Sequence, residues 1–439
     1  MQTPAGPAVK LRAVKRIIAI LGLSAMVCSL RAQTNTLSLA EARRLALERN
    51  WDLLAARSSV DAATAQLLMA REFPNPNLSA SSAKIGDREN ATPAGNGVWA
   101  RSYDTVFALN QLIEIGGKRR ARQDAARAGV LGAKARFLDA RRLLDQGVTK
   151  AYLAALLAGE NARVLHESAA AMRHEQTIAE TRFQAGDLAE SDLKQIQVAA
   201  GQYVLQENAA LAAAVPARSA VEILLGVPQP KGDWQPADLL DQIVPSGPPA
   251  PGPTNALRPD VLAARTDLRA AEAGLKLQRA ERIPDPTIAL QYEHNPPGGG
   301  PPLDTIGLGV SFPLPLWNQN RGAIAAAQAA VDQSRLALAK LQAQMAADQA
   351  NAEAAWQEAS NRLARYREEI RPRSASARDA VAFKFEKGAA TLVDLLEAER
   401  TDNDVRLATA QALSDAASTA ADLAAARQAI TETQLSDLP

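Results

Sequence analysis

The sequence predicts a mixed α and β membrane protein that is mostly α-helical and is built from one structural unit occurring twice. The unit reads helix, strand, strand, long helix, helix. Three matches that keep their order along the chain predict the duplication: residues 73–78 return as 283–288, residues 183–193 as 385–395, and residues 52–57 as 260–265. A period of about 200 residues is far longer than the roughly 20 to 50 residues of a solenoid module, so a whole subdomain is duplicated.

The composition favours long helices that pack closely together. Aromatic residues make up only 4% of the 439 residues, and much of the 47% hydrophobic content is alanine, which favours helix without filling a bulky core. The 49 basic and 48 acidic residues balance, so the chain lacks the electrostatic footprint of a nucleic-acid-binding protein. Downstream of the N-terminus, no apolar run approaches the roughly 18 residues of a membrane-spanning helix.

The N-terminus has the pattern of an export signal. Basic side chains within residues 10–16 precede the apolar stretch 17–27, and a polar segment follows. We therefore expect residues 1–32 to be a signal peptide that is removed. Cys28, the single cysteine, offers lipid attachment as an alternative, although the valine before it stands where lipid attachment favours a smaller residue.

The first unit is predicted to span residues 33–225. Ser38 and Glu41 form a capping box that opens a helix running to about Glu72. Period-two alternation then predicts two strands, and a proline-free stretch with a Phe-x-x-Gly turn predicts a long helix that reverses into a second one. The expected ranges are strands at about 76–86 and 103–115 and a helical hairpin at 117–225.

A Pro-rich linker, residues 226–256, leads into the second unit, residues 257–430, and a C-terminal tail follows at 431–439. Pro259 begins the first helix of this unit, and Pro372 is expected to kink its long helix. The expected ranges are strands at about 286–295 and 303–313 and a hairpin at 317–430. Apolar residues spaced seven apart predict a coiled-coil seam, formed by Ile324, Val331, Leu338, Met345, Ala352, Ala359 and Tyr366.

The strands carry one apolar face each, at lengths that suit a tilted strand crossing a bilayer. The residues expected to face lipid are Tyr103, Phe107, Leu109, Ile306, Leu308, Val310 and Phe312. Two strands per unit give four per chain, which is too few to close a barrel, and lipid does not tolerate an open sheet edge. Three chains would together supply twelve strands, an even number within the range of bacterial barrels.

Several motifs together resemble the TolC-type outer-membrane factor family, the exit ducts of bacterial efflux and secretion systems. They are the opening at 37–42, the Pro-x-Pro strand starts at 74–76 and 284–286, the Gly-x5-Asp-Leu turns at 186–193 and 388–395, and Leu-Leu-Gly at 224–226. Two further stretches, residues 114–119 and 313–322, resemble the heavy-metal (cobalt-zinc-cadmium type) subgroup.

This resemblance implies a homotrimer in the cell outer membrane. A trimeric α-helical barrel in the periplasm would join a 12-stranded β-barrel, to which each chain gives four strands. The trimer would be the passive channel component of a tripartite efflux system, with a periplasmic adaptor protein and an inner-membrane RND-type pump as partners and heavy-metal cations as cargo. Two alternatives stay open: the same duct serving drug efflux or type I secretion, and a soluble periplasmic coiled-coil adaptor or scaffold.

The two tip turns, residues 182–193 and 384–395, are the candidate site for adaptor docking and for closing the periplasmic mouth, a role that the resemblance implies. The other interpretation is a plain interhelical turn with an acid near a helix N-terminus. Asp187 and Glu190 would line or flank the constriction, in the first copy only. The candidate residues are Arg182, Gly186, Asp187, Glu190, Asp192, Leu193, Lys384, Gly388, Asp394 and Leu395.

Catalytic and metal-binding functions lack support in the sequence. Residues 116–119 lack the Ser or Thr that follows the lysine of a phosphate-binding loop. His166 and His174 lie eight apart, too far along a helix to chelate one ion together, and His294 is remote in sequence. We therefore expect no enzyme activity, no cofactor and no bound metal.

Overall fold

The computed structural model describes residues 36–83, 105–250, 256–295 and 303–436. The predicted signal peptide, Cys28 and Tyr103 lie outside these ranges. Helices predominate in the described residues, so the prediction of a mostly α-helical chain is confirmed. None of the described helices combines the length and the apolar character needed to cross a membrane.

The elements follow the same order in both halves. The first half contains β1 (Thr36–Leu37), α1 (Leu39–Arg49), α2 (Trp51–Arg71), β2 (Asn77–Ser82), β3 (Thr105–Leu112), α3 (Lys118–Ala185) and α4 (Glu190–Leu224). Between the halves lie β4 (Gln235–Pro236) and α5 (Leu240–Ile243). The second half contains α6 (Pro259–Ala280), β5 (Thr287–Asn295), β6 (Leu303–Ser311), α7 (Arg321–Arg365), a π-helical turn (Tyr366–Ile370), α8 (Arg371–Glu386), α9 (Leu392–Arg427) and α10 (Glu432–Ser436).

The first helix begins as predicted but does not run unbroken to Glu72, which corrects that expectation. The Ser38 hydroxyl accepts a hydrogen bond from the Glu41 N–H at 3.3 Å. Asn50 then takes an extended backbone with ψ 129° and separates α1 from α2. Its side-chain amide donates to the Leu224 carbonyl at 3.0 Å, and the residue is only 5% exposed. This buried contact with a distant helix end stabilises the break.

Pro372 is accommodated by the π-helical turn directly before it. A proline inside a helix has no N–H, and its ring crowds the carbonyl four residues earlier. Here the Arg371 N–H bonds instead to the Tyr366 carbonyl, five residues back, and the chain continues as α8. A single wide turn of this kind is typical of a π-bulge.

The predicted seam is the face that α7 and the following turn bury. Val331 and Ala359 are 3% and 1% exposed, and the other seam residues are partly buried. Most residues between them are exposed. The seven-residue spacing therefore identified the packed face of this helix correctly.

The chain divides into two compact units. Unit 1 consists of Met1–Asn50, Asp145–Gly247 and Gln357–Ala421, and unit 2 consists of Trp51–Leu144, Pro248–Trp356 and Asp422–Pro439. Unit 1 contains both tip turns, and unit 2 contains the strands β2, β3, β5 and β6. Each candidate site therefore lies within one unit.

In unit 1, the Pro-rich segment between the halves does more than connect them. Trp234 is 4% exposed and stacks on Tyr152, with 5.8 Å between ring centroids. The Tyr152 hydroxyl lies 2.8 Å from an Asp238 carboxylate oxygen, and that same oxygen accepts from the Leu39 N–H at 2.7 Å. Burial raises the pKa of Tyr152 well above its usual range, with the Asp238 contact adding to the effect. This segment therefore fastens the start of α1 to α3.

In unit 2, four antiparallel strands form one sheet in the order β2-β3-β5-β6. The pairing of β3 with β5 joins the two halves of the duplication. In the same unit, Leu435 of α10 is 2% exposed and packs against Leu262 of α6 and Ala135 of α3. Glu432 pairs with Arg265 and Arg269, so the end of the described chain is held in place.

Candidate functional site: the tip turns and the sheet faces

Both tip turns close with the same backbone geometry. Gly186 and Gly388 have φ of 82° and 73°, in the left-handed region that glycine reaches without strain. In the first turn, the Gly186 N–H donates to the Phe183 carbonyl and the Asp187 N–H donates to the Arg182 carbonyl. The second turn repeats both bonds at Gly388 and Ala389. These are the two bonds of a Schellman motif, which ends a helix and satisfies its last carbonyls.

The helices that leave the two turns begin differently. In the second turn, the Thr391 hydroxyl accepts from the Asp394 N–H at 3.2 Å, and the Asp394 carboxylate accepts from the Thr391 N–H at 3.0 Å. The Thr391 hydroxyl also donates to the Asp394 carboxylate at 2.6 Å, and this bond, together with the one from the Thr391 N–H, lowers the pKa of Asp394. In the first turn, Ala189 occupies the cap position and offers no side-chain bond. Asp192 lies three residues after it without a hydroxyl partner at the cap.

An apolar cluster packs the two turns together within unit 1. Its buried members are Ala179, Ile196, Phe385, Leu392 and Leu395. Leu395 is fully buried, so it positions the turn and does not present its side chain to a partner. Leu193, its counterpart in the first copy, is partly buried at the edge of this cluster.

The remaining candidate residues of the tips are mostly on the surface. Arg182 is partly buried because its guanidinium lies over the Phe385 ring, 5.2 Å from the centroid, and donates to the Phe385 carbonyl at 3.4 Å. Asp192 is also partly buried. The exposed candidates are Gly186, Asp187, Glu190, Lys384, Gly388 and Asp394. Glu190 pairs with Lys194 at 2.7 Å, one turn along α4.

The copies also differ in the aromatic residue of the turn. Phe385 is 3% exposed, whereas Phe183, its counterpart in the repeat, is 40% exposed. The second turn thus inserts its phenyl ring into the shared cluster, and the first turn leaves its ring on the surface. The two tips therefore offer unequal surfaces.

A layer of carboxylates follows the apolar cluster along the hairpins. Burial raises the pKa of Glu399; Arg378 opposes the rise, and Glu175, Asp402 and Asp379 add to it. Burial likewise raises the pKa of Glu175; the nearby His174 opposes this rise, and the charge of Glu386 adds to it. Asp402 is 4% exposed, accepts from Ser374 at 3.0 Å and lies 3.5 Å from Arg378. No local sequence motif could have revealed this layer because its members come from three helices.

The sheet has two chemically distinct faces, which the register defines. On the apolar face, Leu78, Leu109, Leu290 and Leu308 form one row across the four strands, and Ala80, Phe107, Tyr292 and Ile306 form the next. Ile306 and Leu308 are 80% and 77% exposed. The opposite face carries mostly small and polar side chains such as Ser79, Gln291 and Gly307. The predicted lipid-facing residues within the described range lie together, with Phe312 just beyond the end of β6.

Two ion pairs hold the connection between β3 and α3. Lys118 is 7% exposed, lies 2.8 Å from Asp285 and donates to the Ile283 carbonyl at 2.6 Å. Arg122 binds Glu114 at 2.5 Å and 3.0 Å through two nitrogens. Since Lys118 is occupied by protein groups, this Gly-Gly-Lys-Arg segment is a strand-to-helix connection.

Two of the three histidines each lie beside one carboxylate. His166 lies 2.6 Å from Glu207, and His294 lies 2.7 Å from Asp304. Within the described ranges, no group of three or more His, Cys, Asp or Glu side chains has the arrangement of a metal site.

The sequence matches the family described as "Outer membrane efflux protein" over residues 42–227 and 252–427. The chain therefore belongs to that family of channel proteins, and the outer membrane is its location.

Among curated proteins, the chain is 26% identical over 380 residues to the cobalt-zinc-cadmium resistance protein CzcC of Cupriavidus metallidurans, covering 84% of this chain and 85% of that protein. Among solved structures, it resembles the Campylobacter jejuni CmeC outer membrane channel, with TM-score 0.71, 19% identity and coverage of 90% and 88%. It also resembles CusC, with TM-score 0.69, 18% identity and coverage of 91% and 95%. The structural likenesses establish the fold.

Proposed function

We propose that the chain is one subunit of a passive trimeric exit duct in a tripartite efflux system. The observation that carries this proposal is an open four-stranded sheet with one exposed apolar face. No strand of the described residues pairs with the outer edge of β2 or of β6. Lipid does not tolerate such edges. Three copies that place β2 of one beside β6 of the next close a twelve-stranded barrel.

The tips form the end that a periplasmic adaptor engages. Exposed backbone and charge at Gly186, Asp187 and Glu190 give a partner polar groups to bind, and the buried cluster beneath holds the turns in place. The second turn contributes Lys384 and Asp394 at its surface. An inner-membrane pump supplies the energy, and the duct itself has no catalytic role.

Heavy-metal cations are the proposed cargo because the curated relative CzcC is named for cobalt, zinc and cadmium resistance. A duct that lets ions pass has no need of a tight metal site, since tight binding would slow release. Drugs or a secreted polypeptide are the alternative cargo for the same duct. The family membership favours a duct of either kind over a soluble periplasmic scaffold.

A deletion strain tests the proposed cargo. The strain should become sensitive to cobalt, zinc and cadmium salts, and plasmid-borne wild type should restore growth. Sensitivity to drugs alone would refute the metal assignment.

The matched variants Gly186→Val and Gly201→Val test the role of the turn. Valine at Gly186 is strained because φ is 82°, whereas Gly201 is an exposed helical position with open space around it. We expect Gly186→Val to reach the outer membrane but to fail in restoring resistance, and Gly201→Val to behave as wild type. Full resistance with Gly186→Val would contradict the tip's proposed role.

A further inference from the structure

The polar face of the sheet is almost free of charge. Its residues on β2 and β3 are Asn77, Ser79, Ser81, Val106, Ala108 and Asn110. Its residues on β5 and β6 include Ala289, Gln291, Glu293, Thr305, Gly307 and Gly309. Among the described strand residues on this face, Glu293 is the one that carries a charge.

Glu293 lies between uncharged neighbours. In register it stands beside Val106 on β3 and Thr305 on β6. No ion pair is found for it among the described residues. Asp304, one position along β6, behaves differently, because it lies on the other face and pairs with His294 at 2.7 Å. Within the described ranges, Glu293 is therefore a carboxylate without a compensating cation.

The position of Glu293 along the sheet places it far from the helices. β5 begins at Thr287, directly after Pro286, and Glu293 is six residues further on. At about 3.3 Å per residue, that is roughly 20 Å from the helical end. The carboxylate therefore lies near the outer end of the strand pair.

We propose that Glu293 gives the outer end of the duct a preference for cations. The inference rests on the proposed function, because the polar face lines a lumen only in the closed trimeric barrel. Three chains then contribute three carboxylates at one level, which raise the local concentration of cations and lower that of anions. Between the helical end of the sheet and Glu293, the polar face carries hydroxyl, amide and glycine groups, which bind ions weakly. A cation therefore passes without being captured. The proposed metal cations would therefore leave through an exit that favours positive charge over negative charge.

A cysteine beside Glu293 can report the local potential directly. Thr305→Cys is suitable because directly opposed residues of neighbouring strands have Cβ atoms about 4.5–5.5 Å apart. The chain's single natural cysteine, Cys28, is replaced by alanine in every variant. Full-length protein in outer-membrane vesicles is treated with a cationic and an anionic methanethiosulfonate reagent of similar size at 0.1 M salt. The ratio of the two reaction rates is measured with Glu293 and with Glu293→Gln.

The expected result is faster reaction with the cationic reagent, and a fall of about four-fold in that ratio after Glu293→Gln, from a screened charge at about 6 Å. The matched control Asp304→Asn removes a charge at a neighbouring position on the other face and should change the ratio by less than half as much. An unchanged ratio after Glu293→Gln would overturn the inference and leave the duct intact. Reaction at Ile306→Cys with none at Thr305→Cys would reverse the faces and overturn the proposed function as well.

Discussion

Leu395→Ala tests whether the apolar cluster holds the two tip turns together. Leu395 is fully buried among Ile196, Phe385 and Leu392. Truncating a buried leucine to alanine generally costs about 2–5 kcal/mol, because burial is lost and a cavity remains. Its neighbours belong to both hairpins, so the cluster has little freedom to collapse, and we expect a loss of about 3 kcal/mol. Leu193→Ala is the matched control: it is partly buried at the cluster's edge and should lose about 1 kcal/mol.

Hydrogen exchange on the detergent-extracted protein is the appropriate assay, since it reports local opening free energies. A change of about 3 kcal/mol should speed exchange about 160-fold, in the residues of both turns together. If the tips close the duct as proposed, cells carrying Leu395→Ala should also become more sensitive to a large hydrophilic antibiotic, because a loosened tip would let it through. Equal exchange in Leu395→Ala and Leu193→Ala, or faster exchange confined to the second turn, would refute the idea of a shared cluster.

Three further predictions follow from the same region and from the sheet. Ala189→Thr should complete a capping box with Asp192 and stabilise the first turn by about 1 kcal/mol, measured as slower exchange at the start of α4. Because burial, Glu175 and Asp402 raise the pKa of Glu399 while Arg378 opposes the rise, its proton stabilises the folded hairpins. That stability should be complete below the ordinary glutamate value of 4.5 and be lost as pH rises through the raised pKa, and Glu399→Gln should flatten this dependence of exchange on pH. Leu308→Asp, a carboxylate on the exposed apolar face, should prevent assembly into the outer membrane, whereas Thr305→Asp on the polar face should assemble.

Each of these has a result that would count against it. Unchanged exchange in Ala189→Thr would mean that the missing cap is not a weakness of the first turn. A wild-type pH profile in Glu399→Gln would show that another group titrates. Normal membrane assembly of Leu308→Asp would reverse the assignment of the sheet faces.

The sequence revealed the parts of the fold that have local signals. The repeated Phe-x-x-Gly turns fixed both reversals, because only glycine takes φ near 80° without strain there. The alternation in β6 predicted the apolar face that Ile306 and Leu308 occupy. Seven-residue spacing predicted the buried side of α7.

The parts that depend on distant contacts could not be predicted in this way. The break at Asn50 lacks a glycine or proline and depends on a hydrogen bond to the carbonyl of Leu224, 174 positions along the chain. Trp234 lies among prolines that suggested a linker, yet Tyr152 and the carbonyl of Arg218 hold it in the core. Glu399 is surrounded by charges from several helices, which no window of sequence displays. Tertiary structure decided each of these.

In the proposed duct, the sheet of one chain is completed by the sheets of its copies in the membrane. The direct test is the molar mass of the protein extracted from outer membranes, measured by light scattering with the detergent contribution subtracted. We expect three chains per particle, and cysteines placed on β2 and β6 should crosslink only between chains. A single chain per particle that stays in solution without detergent would contradict it.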